Sequence, residues 1–547
     1  MAVRVRGSGQ EVVDAGPAAP PARGPGPGEA HAPRQDVLAN PLAVAALLAT
    51  LMAACLWLRA GGLGAPLWMD EAISIGLASH PLGDIPGLLR LDGAPPLYYL
   101  LLHAWMKLFG RTETATHALS LVFSVAAVPV ALWAGWSLFG RRAGWILAAL
   151  VACNPFLSYF ATETRMYALV ALLALVATAS FVHAFVFARR KYLWLLAPSL
   201  ALVLYTHYWG LWLLLGAVVA LVPCAAASDD RRRLARDAAV TFGAVALAYL
   251  PWVPTLAYQQ AHTGAPWSGP PLVREMITVV AVVLGDPHER VLVALLLVAG
   301  PVLWSLARSR DTTSVALAAM ASLAVVPVVA GWLAAQASPS WAPRYLAVSA
   351  PAILLLASVG LAAARAPGVL ALGLILAVWV QPFARLSGAR PAGGFPEKGS
   401  VKALSESLSP GLEPGDLVIA MQMEEVPVLA YYLPPGLRFA TATGPVGDPT
   451  IADWRDALGR TQAATVATSL APLLEPLDPG TDVLLVCAEH GRGPESLSWF
   501  ALMKERCGQW RAALEADPRF VAVPAWRLPS TSEEVPREVL RFTRTKA

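Results

Sequence analysis

Apolar runs of membrane-spanning length alternate with short charged or Pro/Gly-rich breaks over roughly the first 390 residues of the chain. They fall at about 37–58, 115–139, 143–160, 165–188, 192–207, 208–226, 237–256, 290–307, 313–335, 344–364 and 368–386. A hydrocarbon layer about 30 Å thick takes roughly twenty helical residues, so the pattern predicts about eleven transmembrane helices. The first run is too long for a signal-peptide core and reads as a retained span. Pro95–Gly110 is apolar but only about sixteen residues long, with Tyr, His, Trp and Lys spread through it, and length alone leaves it undecided.

Both ends of the chain break this pattern. Residues 1–36 are rich in Pro, Gly and Ala, carry Arg4, Arg6, Arg23 and Arg34, and have almost nothing to bury, which predicts a disordered cytoplasmic tail. From about Arg385 a Gly/Pro-rich linker runs to Gly399. Beyond it, short apolar runs at 416–420 and 482–486 read as strands with helical patterns between them, the mark of a small α/β domain. The predicted fold is thus an α-helical polytopic membrane protein over 37–390, followed by a soluble C-terminal α/β domain over 391–547.

Composition agrees: of 547 residues, 56% are hydrophobic and 14% charged, with a mean hydropathy of +0.55, against about 25% charged in a soluble globular protein. The net charge of +4 is small and its basic residues sit in clusters between spans, which points to orientation signals and to no nucleic-acid partner. Those clusters decide the Pro95–Gly110 segment. If it is an interfacial helix, then the N-terminal arginines, Arg141-Arg142, Arg189-Arg190-Lys191, Arg231-Arg232-Arg233 with Arg236, Arg308 with Arg310, and Arg365 share one side, which the positive-inside rule makes cytoplasmic. As a span, it would throw three of those clusters outside. The expected location is the plasma (inner) membrane, with the C-terminal domain extracytoplasmic.

That outer side collects the chemistry. It holds Asp70, Glu71 and Asp92 in the loop 59–114, then Glu163 and Arg165, His207 and Tyr208, the loop 257–289, and Trp341 to Tyr345. Adjacent acids beside a bilayer are costly unless solvated, paired or used. A solvated loop is the plain reading of Asp70-Glu71 alone. The clustering of polar residues at span ends, not along a mid-membrane pore, favours an active-site cavity over a channel.

Three patches resemble the GT-C integral-membrane glycosyltransferases, in the family 39/83-like branch of protein O-mannosyltransferases and aminoarabinose lipid A transferases. They are the Asp70-Glu71 doublet in the first outer loop, Asp92-Gly93-Ala94-Pro95-Pro96-Leu97-Tyr98-Tyr99, and Glu163-Thr164-Arg165-Met166-Tyr167-Ala168-Leu169. Arg344-Tyr345-Leu346 is a fourth, weaker match. The resemblance covers about residues 37–390, and Ala94 departs from it where the family often carries His or Lys. It implies transfer of a sugar from a polyprenyl-phosphate donor to an extracytoplasmic acceptor (glycan, lipid or protein), with inversion, by a hexosyl- or pentosyltransferase of the cell envelope. On it, Asp70, Glu71 and Glu163 are the catalytic candidates, and Arg165, Arg344, Tyr345, His207, Tyr98, Tyr99 and Asp92 the donor- or phosphate-binding ones.

The residues suit that chemistry on their own terms. An attacking hydroxyl must lose a proton to a carboxylate, and a departing lipid phosphate needs cations. Asp70 is the candidate base and Glu71 the fallback, since neighbouring residues face different directions. Glu163 either orients a substrate or pairs with Arg165. Arg344 either holds phosphate or snorkels to headgroups. His207 either meets the donor or belongs to an interfacial aromatic belt, and His103 reads as structural. A divalent metal stays open: the acids could supply ligands, but no Asp-x-Asp or His-x-x-x-His spacing occurs there. In the C-terminal domain Gly491-Arg492-Gly493-Pro494 fails as a phosphate loop because of its proline. Cys487 and Cys507 both fall in the compartment expected to be oxidising, so a disulfide closing a loop of about twenty residues is predicted, worth on the order of 3 kcal/mol. A lipid or solute transporter is the alternative function, but the internal repeat that many transporters carry is not evident.

Overall fold

Among the described residues, each of the eleven apolar stretches falls largely on helix. The computed structural model describes residues 40–286, 288–384, 400–488, 498–527 and 537–545; the tail 1–36, the linker 385–399 and Gly491-Arg492-Gly493-Pro494 lie outside them. The chain divides into a first unit ending at Leu48, whose described part is the start of α1, and a second from Ala49 that holds all other elements. The helices are α1 Pro41–Ala60, α2 Met69–Ser79, α3 Ile85–Asp92, α4 Leu97–Phe109, α5 Glu113–Phe139, α6 Arg141–Cys153, α7 Pro155–Phe160 and α8 Tyr167–Phe181. Next come α9 Leu193–Thr206, α10 Gly210–Ala227, α11 Arg231–Tyr249, α12 Val253–His262, α13 Val273–Val283, α14 Arg290–Val298 and α15 Gly300–Ala307. The helical part closes with α16 Thr312–Ala337, α17 Ala350–Ala363 and α18 Arg365–Ala384.

The expected count of eleven spans is not met by unbroken helices. Among the described residues, six helices are long and apolar enough to cross a membrane, or seven if α14 and α15, bent by 45°, form one span. The predicted span 143–160 is broken at Asn154-Pro155, where the Asn154 side chain caps α7 by accepting from the Leu157 amide. The stretch 344–364 opens with a 3₁₀ segment, Pro343–Val348, before α17. Helix α4 has 13 residues, about 20 Å at 1.5 Å per residue, too short for a 30 Å layer.

The C-terminal part contains α19 Ser400–Leu408, α20 Val426–Tyr432, α21 Ala457–Ala463, α22 Ala471–Leu474 and α23 Ser498–Ala516. Its strands are β1 Leu417–Ala420, β2 Arg438–Thr441, β3 Gly444–Val446, β4 Asp482–Ala488, β5 Phe520–Arg527 and β6 Arg537–Arg544, in the order β3-β2-β1-β4-β6-β5. The two predicted strands are β1 and β4, paired in parallel at the centre. Alternation of side chains gives each face a core. Leu417, Ile419, Val483 and Leu485 meet Trp510 and Leu514 of α23, while Val418, Ala420, Leu484 and Val486 meet Leu404 and Leu429. The predicted Cys487–Cys507 disulfide is present, with Cα atoms 6.0 Å apart, and ties β4 to α23.

Helix α2 joins the two parts. Ala72 belongs to the second of those sheet cores. The Tyr432 hydroxyl accepts from the Leu67 amide at 2.8 Å and donates to Glu113 at 3.3 Å, and Lys402 pairs with the same Glu113 at 3.1 Å. At the far end of α2, His80 meets Asp448 at 2.8 Å. Gly76 lets the two parts touch: a Cβ there would lie 1.9 Å from the Thr450 carbonyl oxygen. Gly76→Ala should therefore destabilise the protein by about 1–3 kcal/mol, the usual cost of overpacking. A thermal melt of the purified variant checks this; an unchanged melting temperature would refute the close packing.

Candidate active site

Asp70 stands in the first turn of α2, where a carboxylate suits the positive end of the helix dipole. Its Oδ2 lies 3.9 Å from Arg165 and 3.7 Å from Arg344, and its side chain is about one-fifth exposed at 21%. These separations exceed hydrogen-bonding length, so the attraction is Coulombic and both guanidiniums keep donors to offer. Three residues far apart in sequence thus meet.

Arg165 is held by its surroundings. Its Nη1 donates to Ser74 Oγ at 3.0 Å, to the Asp70 carbonyl at 3.3 Å and to the Tyr99 hydroxyl at 3.3 Å. Tyr99 in turn donates to Asp92 at 3.3 Å. Ser120, hydrogen-bonded to the buried Tyr98, donates to the Arg165 carbonyl at 3.2 Å. Arg344 instead lies among aromatic rings, 5.4 Å from Trp68, 5.5 Å from Trp267 and 5.6 Å from Tyr345, distances suited to cation–π attraction. Tyr345 packs 5.0 Å from His207, whose Nδ1 accepts from the Trp209 amide at 3.1 Å. His207 also lies 5.8 Å from Tyr167.

Two further acids are buried. Glu71 is fully buried and accepts from the backbone N–H groups of Thr164 and Trp68, with His117 at 2.8 Å: helical phase turns this fallback base into the protein. Glu163 is buried too, at 1% exposure, and is hydrogen-bonded to Tyr159. His103 is structural as read, at 2.9 Å from the Ala78 carbonyl. Among the described residues no group of three or more His, Cys, Asp or Glu side chains is placed to hold a metal ion.

Gln259 on α12 was not singled out in the sequence. Its buried Nε2 donates to the Leu89 carbonyl at 2.6 Å and to that of Ala94 at 3.3 Å, bracketing the turn that carries Asp92. Gly93 allows that turn with φ of +91°. The Gln259-Gln260 pair just after an apolar run was the available signal.

No protein-family model and no curated protein sequence matches the chain. Among solved structures it is similar to ArnT from Cupriavidus metallidurans in the apo state, with a TM-score of 0.60 and 15% identity over 91% of this chain and 98% of that one. The same ArnT bound to undecaprenyl phosphate gives 0.59 and 14%, over 92% and 98%. The apo oligosaccharyltransferase of Archaeoglobus fulgidus gives 0.51 and 12%, over 84% and 72%. The chain has the GT-C fold. At such identities the likeness is one of fold.

Removal from water pushes the Asp92 carboxyl up to about 6, an effect that Asp70 adds to and Arg165 and the Tyr99 hydroxyl oppose. The folded protein therefore holds the Asp92 proton at pH values where the unfolded chain, with an ordinary value of 3.8, has lost it. Stability from this group is complete below about 3.8 and is lost as pH rises through about 6. Asp92→Asn should flatten that slope in a series of thermal melts between these limits. A variant with the wild-type slope would show that another group titrates there.

Proposed function

We propose that the protein is a membrane glycosyltransferase that moves a sugar from a polyprenyl-phosphate donor to an acceptor outside the cytoplasm, with inversion at the anomeric carbon. The observation that carries this is the Asp70 carboxylate between the guanidiniums of Arg165 and Arg344 in a chain of GT-C fold. The bound undecaprenyl phosphate of the similar ArnT structure supports a lipid-phosphate donor.

Orientation follows from charge. Helix α5, about 40 Å long from its 27 residues, begins at Glu113 beside α20 and ends at Phe139. Near that second end Arg189 donates to the Ser137 carbonyl, and Arg190 pairs with Asp237. The basic loops thus group at the end of α5 away from the site, which supports a cytoplasmic assignment for them and an extracytoplasmic one for Asp70 and the sheet domain.

In the reaction, Asp70 takes the proton of the acceptor hydroxyl as its oxygen bonds to the anomeric carbon. The bond from that carbon to the phosphate oxygen breaks, and its electron pair leaves with the polyprenyl phosphate. Arg165 and Arg344 hold the phosphate charge, with Tyr99 and Asp92 fixing Arg165, and Tyr345 and His207 forming the wall beside Arg344.

Asp70→Asn should slow transfer from undecaprenyl-phosphate sugars by about 10²- to 10⁴-fold, the usual loss of a general base. It should bind undecaprenyl phosphate at least as tightly as wild type, since a negative charge facing the phosphate is gone. Arg344→Ala should weaken that binding by about tenfold to a hundredfold, the scale of a charge-assisted hydrogen bond. Turnover and lipid-binding assays in nanodiscs read both. Transfer by Asp70→Asn at the wild-type rate would sink the proposal.

A further inference from the structure

The fully buried side chains of Glu71 and His117 meet at 2.8 Å. The other imidazole nitrogen, Nδ1, lies 2.9 Å from the Leu63 carbonyl. A carbonyl only accepts, so Nδ1 carries a hydrogen, and one further proton lies between Nε2 and Glu71 Oε1. The same carboxylate accepts the amide of Thr164 at 2.7 Å and that of Trp68 at 3.2 Å. Trp68 is the residue from which α2 starts, two before Asp70. Thr164 immediately precedes Arg165 in the turn that leads to α8. One buried carboxylate therefore joins the two backbone segments that present Asp70 and Arg165, and His117, near the start of α5, joins both to Leu63.

Apolar side chains of equal volume would hold these helices together about as well, because burying charged or polar partners roughly cancels their attraction. What they would not do is fix a register, since only directional hydrogen bonds set the distance between two backbone amides. We propose that His117 is a positioning residue: through Glu71 it holds the start of α2 against the Glu163–Arg165 turn, so that the Asp70 carboxylate stays at its separation from Arg165. This rests on the reading of Asp70 and Arg165 as groups of the reacting site, where a displacement of about 1 Å can cost 10²-fold in rate.

The test uses the full chain in lipid nanodiscs, with hydrogen exchange read by mass spectrometry and binding read with undecaprenyl phosphate. In His117→Leu, amides within 66–72 and 161–166 should exchange at least tenfold faster, while the rest of the helices and the sheet keep their protection. Undecaprenyl phosphate should bind about tenfold more weakly as Arg165 loosens. His117→Gln, which keeps an N–H for Glu71, should restore most of the protection and most of the affinity. If His117→Leu does not fold, Glu71→Gln should loosen the same two segments at nearly constant volume. Unchanged exchange at both segments in either folded variant, or a rise spread evenly over the chain, overturns the proposal. Failure of the wild-type protein to bind undecaprenyl phosphate would instead count against the functional reading, and the exchange data would still judge the strut.

Discussion

Asp70 can hold a charge at the end of a membrane bundle because two guanidiniums stand within 4 Å of it. A carboxylate there without cations would face an effective cost of several kcal/mol or would neutralise. Much of the surrounding architecture fixes those two cations. Ser74 and Tyr99 hold Arg165 by hydrogen bonds, while Trp68, Trp267 and Tyr345 surround Arg344 with rings that leave its planar donors free to turn. One cation is thus pinned and the other only cradled.

The sheet domain is part of the same constraint. Helix α2 has one side on the membrane helices, through Glu71 and His117, and another on the sheet, where Ala72 enters the core beside β1 and β4. Tyr432 closes the arrangement by bonding both the residue before Trp68 and the first residue of α5. A helix of 11 residues is marginal by itself in water, so its position depends on being packed from both sides. The linkage also explains why α2 contains Gly76, the place where the sheet domain's backbone comes nearest.

Much of this was legible in the sequence, and the reason is physical. Hydropathy marks where spans end, the alternation of sides follows from basic clusters, and together they gathered Asp70, Arg165 and Arg344 on one face before any coordinates. Strands β1 and β4 were legible as short apolar runs bounded by turn residues, the pattern of strands that the structure places at the sheet's centre. The edge strands were not: β3 has three residues, and β5 contains Pro524, which argues against a strand. The count of eleven spans is not matched by unbroken helices among the described residues, because apolar composition does not register a break such as Asn154-Pro155. Gln259, Tyr432 and His117 escaped notice because the partner of each is distant in sequence: 365 positions separate Leu67 from Tyr432, and 46 separate Glu71 from His117.

The Asp-Glu doublet itself shows where sequence reading stops. Successive residues of an α-helix point about 100° apart, so in a helix lying between two packed layers at most one of two adjacent acids can face the cleft. Which one depends on the phase of the helix, and the phase is set by what the helix buries. Ile75 and Ala78, four and seven residues after Glu71 and on the same side of α2, are buried with it, while the Asp70 side chain keeps about one-fifth of its surface exposed. Glu71 then stands three residues after the cap, where a side chain can reach back to the cap's own amide, and it does so on Trp68. The inward acid starts and anchors the helix that carries the outward one, so removing either should disturb the site by a different route.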